Sequence, residues 1–392
     1  MNFAKILFLC GLVIFTYSPS YSQTKTSSKV IAQLLPLDPD VKIGKLANGF
    51  TYYIRKNMEP ENRAYLYLAN KVGSILENED QQGLAHFVEH MGFNGTKHYP
   101  KNDLVSYLQK AGVRFGADLN AYTSFDETVY ELPIPTDDVE VFKNGMQIMR
   151  DWAQDATLDP VEVDKERGVV LEEKRLGKGA YERMQIKYLP VLFNNSRYSN
   201  RLPIGTEEVL GNFKPETLRQ FYKDWYRPNL QALIVVGDID VQAVELMIKA
   251  KFADLKNPVD SRERIEYTIP LIHKNQFIAV TDKEFPVTVA QIMITHPETV
   301  VKKTVDLRDN MIRALYNQRM SARFSEIIKQ ANPPFLQGGS NISKFLAGLD
   351  VAGSFVLAKP GELETGFKAV LTEVERVKRF GFTQTEFERA KV

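Results

Sequence analysis

The chain has 392 residues, 50 Lys and Arg against 49 Asp and Glu, and is 44% hydrophobic and 25% charged. That mixture excludes a disordered chain and a multispan membrane protein, and the length allows two domains. A formal charge of +1 gives no electrostatic reason to expect nucleic acid or an anionic membrane as a partner, and one Cys with five His makes any histidine cluster informative.

The first 22 residues have the form of an export signal. Lys5 supplies the positive start, Ile6 to Tyr17 the apolar run, and Ser20-Tyr21-Ser22 a small-x-small cleavage site. The run is too short to span a bilayer, so the expectation is an exported protein, periplasmic or secreted, with no membrane contact after cleavage. Cys10 leaves with the signal. The mature chain then has neither a disulfide nor a thiol nucleophile.

Next comes a hairpin, Gly44 to Ile54, turning at Asn48-Gly49, and a strand from Ala64 to Ala69. Helices are expected over Gln82 to Phe93 and Lys101 to Ala111, then strand from Val113 to Pro133 through Asn120-Ala121-Tyr122-Thr123. A helix follows from Val139 to Ala153. Asp159-Pro160 supplies an N-cap and an N1 proline for another, running to about Gly177. Pro215 to Trp225 is helical, Ala232 to Gly237 a buried strand, and Val241 to Phe252 a helix.

Asn257-Pro258 and six charged residues between Lys256 and Glu266 mark a linker. Beyond it the pattern repeats in kind. Strands Gln276 to Thr281 and Thr288 to Thr295 precede a helix from about Val305 to Gln330, and a strand region Asn341 to Ala358 precedes a helix from Glu362 to Arg379. Thr383-Gln384-Thr385-Glu386 is a capping box that opens a helix with no stop signal before Val392, which suggests a fragment. The expected class is α+β. The units are a signal at 1–22, a first domain at 36–255, a linker at 256–266 and a second domain at 267–392.

The chemistry concentrates at His86-Phe87-Val88-Glu89-His90. On a helix His86, Glu89 and His90 share one face, while Leu84, Phe87, Val88 and Met91 form the apolar stripe opposite. Two imidazoles at i,i+4 match the bite of zinc, and the adjacent Glu can take a proton from a water that the metal acidifies. The order inverts H-E-x-x-H into H-x-x-E-H. The competing reading is a solvated face that happens to carry two histidines, but with so few His the chance expectation is about 0.004 matches per chain.

A catalytic zinc wants three protein ligands and an open position. His98, His273 and His296 lie outside helical spacing with the pair, so the third ligand is expected to be a carboxylate. The helix after Asp159 offers Glu162, Glu166, Glu172 and Glu173. Glu166 and Glu173 are two turns apart on nearly one face, and Glu172 points away. Spacing does not choose between Glu166 and Glu173.

With these residues in view, the sequence resembles the pitrilysin-type, or insulinase-family, zinc metallopeptidases, which include insulin-degrading enzyme and the mitochondrial processing peptidase. The resemblance rests on His86 to Thr96 (HFVEHMGFNGT), Glu166 to Glu173 (ERGVVLEE), Asn120-Ala121-Tyr122-Thr123, and Tyr226-Arg227-Pro228-Asn229 before the strand to Gly237-Asp238. It is strong over the first domain and fainter to the end, and is nearest to the N-terminal half of long bacterial exported zinc proteases.

The resemblance implies two tandem homologous domains, each a mixed, mostly antiparallel sheet packed with helices. It implies one Zn²⁺ in the catalytic domain held by His86, His90 and Glu173, with Glu89 as general base and Glu166 as supporting carboxylate. Asn120 and Ala121 would lie on an edge strand that pairs with a peptide substrate, and Phe93 would line a side-chain pocket. The partners implied are a peptide or unfolded polypeptide and a second homologous half, in the same longer chain or in another subunit. That half contributes the Arg and Tyr that stabilise the tetrahedral intermediate, and no residue of this chain is assigned to that role. The interval from His90 to Glu173 is longer than the family leads one to expect, consistent with a loop insertion. The rival reading is a non-catalytic binding or assembly module on the same fold. A serine hydrolase is weaker, because no G-x-S-x-G occurs.

Overall fold

Period-two burial organises the first half of the chain. The computed structural model describes residues 32–113 and 120–390; the expected signal at 1–22 lies outside them. Strands β1 (Val41–Lys45) and β2 (Thr51–Lys56) form the expected hairpin, with Gly49 at φ +94, a left-handed conformation that glycine adopts without a Cβ clash. Then come β3 (Arg63–Asn70), helices α1 (Leu84–Met91) and α2 (Asp103–Lys110), strands β4 (Asn120–Thr123) and β5 (Thr128–Pro135), and α3 (Val139–Gln154). Helices α4 (Pro160–Leu176), α5 (Ala180–Leu192), α6 (Glu207–Asn212) and α7 (Pro215–Trp225) lead to β6 (Gln231–Gly237) and α8 (Val241–Phe252).

Among the described residues these six strands make one sheet in the order β1, β2, β6, β3, β5, β4, and only the β2–β6 pair is parallel. Register places Tyr52, Leu233, Leu68 and Tyr130 in one row and Ile54, Val235, Leu66 and Leu132 in the next, all buried. A row of apolar side chains on one face needs a lid, and α3 and α8 pack against that sheet. Both lids start from aspartate caps. Asp138 accepts from the amides of Glu140 and Val141, and Asp240 accepts from that of Ala243.

Tandem architecture shows in the order of elements. In the second unit β7 (Thr288–Pro297), α9 (Thr304–Ile328), β8 (Gln337–Lys344), β9 (Leu349–Ala358), α10 (Leu363–Phe380) and α11 (Gln384–Ala390) succeed one another. β9 lies between β7 and β8 as β5 lies between β3 and β4. Met320, Phe324, Phe335, Val356 and Val370 form its core. The capping box at Thr383 is present: Glu386 accepts from the Thr383 amide, and the Thr383 hydroxyl accepts from the Glu386 amide.

Two expectations are corrected. Gln276 to Thr281 forms no ladder among the described residues; Phe277 is 91% exposed and Ile278 40%, so neither of these side chains is buried against a sheet or core there. Asn341 to Ala358 is a hairpin rather than one strand region, because Ala347 and Gly348 at positive φ reverse the chain. The sequence reading also passes over α5 and α6; α5 contains Pro190, and α6 is only six residues long. Residues 256–266 contain no helix or strand but lie against the first unit, where Arg264 donates to the Lys71 carbonyl at 2.8 Å and Arg262 pairs with Asp224 at 3.1 Å. Among the described residues no helix is long and apolar enough to cross a membrane.

Trp152, near the end of α3, ties that helix both to the sheet and to the turn that ends α1. Its indole N–H donates to the Gly92 carbonyl at 2.8 Å, its ring stacks on Tyr130 at 5.0 Å, and it is almost fully buried. Trp152→Ala should lower unfolding stability by about 3–5 kcal/mol, read from the shift of the urea midpoint at constant slope.

Candidate metal centre

Helix α1 is short, and isolated it would not persist in water. Three attachments hold it. Leu84, Phe87, Val88 and Met91 are buried in the main core, as the apolar stripe predicts. At its C-terminal end Trp152 takes the carbonyl of Gly92. At its start the N-cap is Gly83, which has no side chain, and the carboxylate of Glu77 substitutes for it, accepting from the amides of Gly83 at 3.0 Å and Ala85 at 2.8 Å.

The opposite face carries His86, Glu89 and His90. The two Nε2 atoms lie 3.1 Å apart, and Glu173 Oε2 lies 3.7 Å from the first and 3.5 Å from the second. Ligands about 2.0–2.2 Å from one tetrahedral centre are roughly 3.3–3.6 Å from one another, and the three donors, 3.1 to 3.7 Å apart, come within about 0.2 Å of that spacing. Glu166 reaches the other side of His90, accepting from Nδ1 at 2.8 Å, while its second oxygen accepts from Asn94 Nδ2 at 2.5 Å. The ambiguity left by spacing is thus a difference of place. Glu173, with half its side chain exposed, borders the open side, and Glu166, 15% exposed, sits behind His90. Glu162 pairs with Lys165 and Glu172 with Arg175 at the surface.

Charge states follow the same division. Burial, reinforced by the charge on His90, pushes the His86 imidazole down to about 4, so it is neutral at neutral pH and has a lone pair to give. Its buried Nδ1 finds no partner among the described residues. Burial opposes charge on His90, but the Glu166 hydrogen bond and the surrounding carboxylates outweigh it and raise the pKa. Burial likewise opposes charge on Glu166, and the bonds from His90 and Asn94 prevail and lower it. Glu89 is raised, chiefly by burial, although Thr123 and His90 pull the other way.

A second group, His98, Asp151 and Asp155, also clusters. Asp151 is fully buried, and its oxygens already accept from Thr96 Oγ1, the His98 amide, His98 Nδ1 and Gln147 Nε2. This carboxylate pins the loop after α1 to α3.

Comparison with known proteins agrees with this picture. The model of the insulinase family, peptidase family M16, matches residues 52–195, and that of the peptidase M16 inactive domain matches residues 212–391. The crystal structure of the first half of the periplasmic protease PqqL from Escherichia coli superposes with a TM-score of 0.81 at 32% identity, covering 92% of this chain and 77% of that one. The chain belongs to the M16 peptidase family. The probable zinc protease PqqL of E. coli is 34% identical over 369 residues, and an Arabidopsis thaliana zinc protease PQQL-like protein 35% identical over 293. This chain spans 39% and 31% of their respective lengths.

In this M16 chain Asn120 is exposed and Ala121 half-buried on β4, whose second edge carries no strand among the described residues. Phe93 lies just past the end of α1, half-buried, with its ring 5.5 Å from Trp152 and 6.2 Å from Tyr130. Helix α9 of the second unit contains no histidine. Sequence reasoning gave no role to Asn94, Thr123 or Glu77. Asn94 stands inside the HFVEHMGFNGT stretch and Thr123 closes Asn120-Ala121-Tyr122-Thr123; Glu77 sits in an irregular loop with no pattern to reveal it.

Glu77 yields a pH prediction. Complete burial pushes its carboxyl up to about 8, even though the amides of Ala85 and Gly83 and the nearby Arg201 and Arg197 oppose the shift. A folded-state pKa above the unfolded one contributes stability that is full below the unfolded pKa and is lost as pH rises through the folded value. Denaturant unfolding should therefore show stability declining between pH 5 and pH 8, and Glu77→Gln should flatten that decline.

Proposed function

We propose that this chain is the catalytic part of a zinc metalloendopeptidase that hydrolyses oligopeptides or unfolded polypeptides. The observation that carries the reading is the triangle of His86 Nε2, His90 Nε2 and Glu173 Oε2, with Glu89 beside it on the same helix face. Zn²⁺ bound there would supply Lewis acidity to the scissile carbonyl and lower the pKa of water. Glu89 takes the proton from the attacking water and returns it to the leaving amine. Its burial suits both halves of that task, since a raised pKa makes the carboxylate a stronger base and keeps the proton available for transfer.

Glu166 fixes His90 with Nδ1–H toward the carboxylate and Nε2 toward the metal. The edge of β4 would offer Asn120 and Ala121 to an extended peptide, main-chain bonds giving affinity, and Phe93 would help to read a side chain. On this reading residues 36–255 form the catalytic domain, joined through 256–266 to a supporting domain from 267 onward. A second homologous half closes over the peptide. The relatives' description as zinc proteases, and of PqqL as periplasmic, supports the same activity and an exported location.

Glu89→Gln should abolish peptide cleavage while leaving about one zinc per chain by elemental analysis, and full turnover in that variant would refute the assignment. Glu173→Gln should instead lose zinc, measured by chelator competition, by at least tenfold in affinity. Zinc uptake by metal-free protein should weaken as pH falls, because the metal must displace the proton that His90 holds.

A further inference from the structure

The carboxylate of Glu89 is not free to turn. Its Oε2 accepts from the hydroxyl of Thr123 at 2.6 Å, and its Oε1 takes no hydrogen bond among the described residues. A threonine hydroxyl has one proton to give. Thr123 Oγ1 also lies 3.2 Å from Thr128 Oγ1, whose own proton goes to the Val72 carbonyl at 2.9 Å; of the two acceptors then open to the single Thr123 proton, the Glu89 oxygen at 2.6 Å is much the nearer and takes it. Thr128 and Val72 are both buried, so the chain of contacts ends in fixed backbone.

Thr123 is the last residue of β4, two after Ala121 and therefore on the same face of the strand. It pairs with Thr128 in register, as Ala121 pairs with Tyr130. Helix α1 packs against β4. One short strand thus has, among the described residues, an unpaired edge along its length and, at its end, a hydroxyl on the carboxylate beside the two histidines.

We propose that Thr123 is a positioning residue that holds Oε2 of Glu89, presents Oε1 to the reacting water, and couples the orientation of the base to the seating of β4. This rests on the reading of Glu89 as general base. A peptide added to the free edge stiffens β4, and through Thr123 it stiffens the base as well. Loss of the hydroxyl should therefore lower kcat with little change in KM.

The test has two arms. In metal-free protein, the melting temperature is compared for the parent, Thr123→Val, Glu89→Ala and the double variant. Thr123→Val should cost about 2–4 °C in the parent and under 1 °C in the Glu89→Ala background. In zinc-loaded full-length protein, Thr123→Val should lower kcat about tenfold or more, with KM and zinc content unchanged, and Thr123→Ser should restore kcat to within a few-fold of the parent.

Equal thermal costs in both backgrounds would overturn the proposal. So would kcat within twofold of the parent, a rise in KM alone, or a Ser variant as impaired as Val. Retained turnover in Glu89→Gln would instead refute the general-base reading, while the thermal cycle still reports whether the Thr123 contact exists.

Discussion

One carboxylate–imidazole contact organises the centre: Glu166 Oε1 against His90 Nδ1 at 2.8 Å. It joins α1 to α4 across 76 residues of chain and sets the rotation of one helix against the other. With that rotation fixed, Glu173, two turns further along α4, falls beside the two Nε2 atoms. The same contact decides the tautomer. A proton held on Nδ1 by a carboxylate leaves Nε2 with its lone pair facing outward, which is the form a metal needs. Asn94 adds a hydrogen bond to the second oxygen of Glu166, so both oxygens of that carboxylate are engaged.

Such a contact is useful only if α1 itself stays in place, and an eight-residue helix has little stability of its own. The fold supplies the bed. The sheet gives the buried row that ends in Tyr130, α3 gives Trp152 and Asp151, and the loop before the helix gives Glu77 in place of a capping side chain. The buried side of the helix is therefore close-packed and hydrogen-bonded at both ends. The side with Glu173 remains open to solvent. The site is thus closed beneath and open above.

The sequence discloses much of this through periodicity. The apolar stripe Leu84, Phe87, Val88 and Met91 is buried as its spacing requires, and Asp159 caps α4 as the Asp159-Pro160 pair suggests. Local signals fail where the outcome depends on a distant partner. Gln276 to Thr281 has the composition of a strand but no neighbour to pair with among the described residues, and Asn341 to Ala358 hides a reversal at Ala347-Gly348. Glu77 illustrates the limit best, because a carboxylate six residues before the N-cap in an irregular loop has no periodic signature, and its role emerges only when the loop folds back.

The sequence alone determined the α+β class, the helical face shared by His86, Glu89 and His90, and the short list of carboxylates that could complete a metal set. All of these depend on spacing within one element, and spacing within a helix or strand is fixed by its geometry. Tertiary structure decided which carboxylate stands where, that Thr123 reaches Glu89, and that Glu77 caps α1. Each of those pairs residues from different elements, and their distance is set by packing rather than by position along the chain.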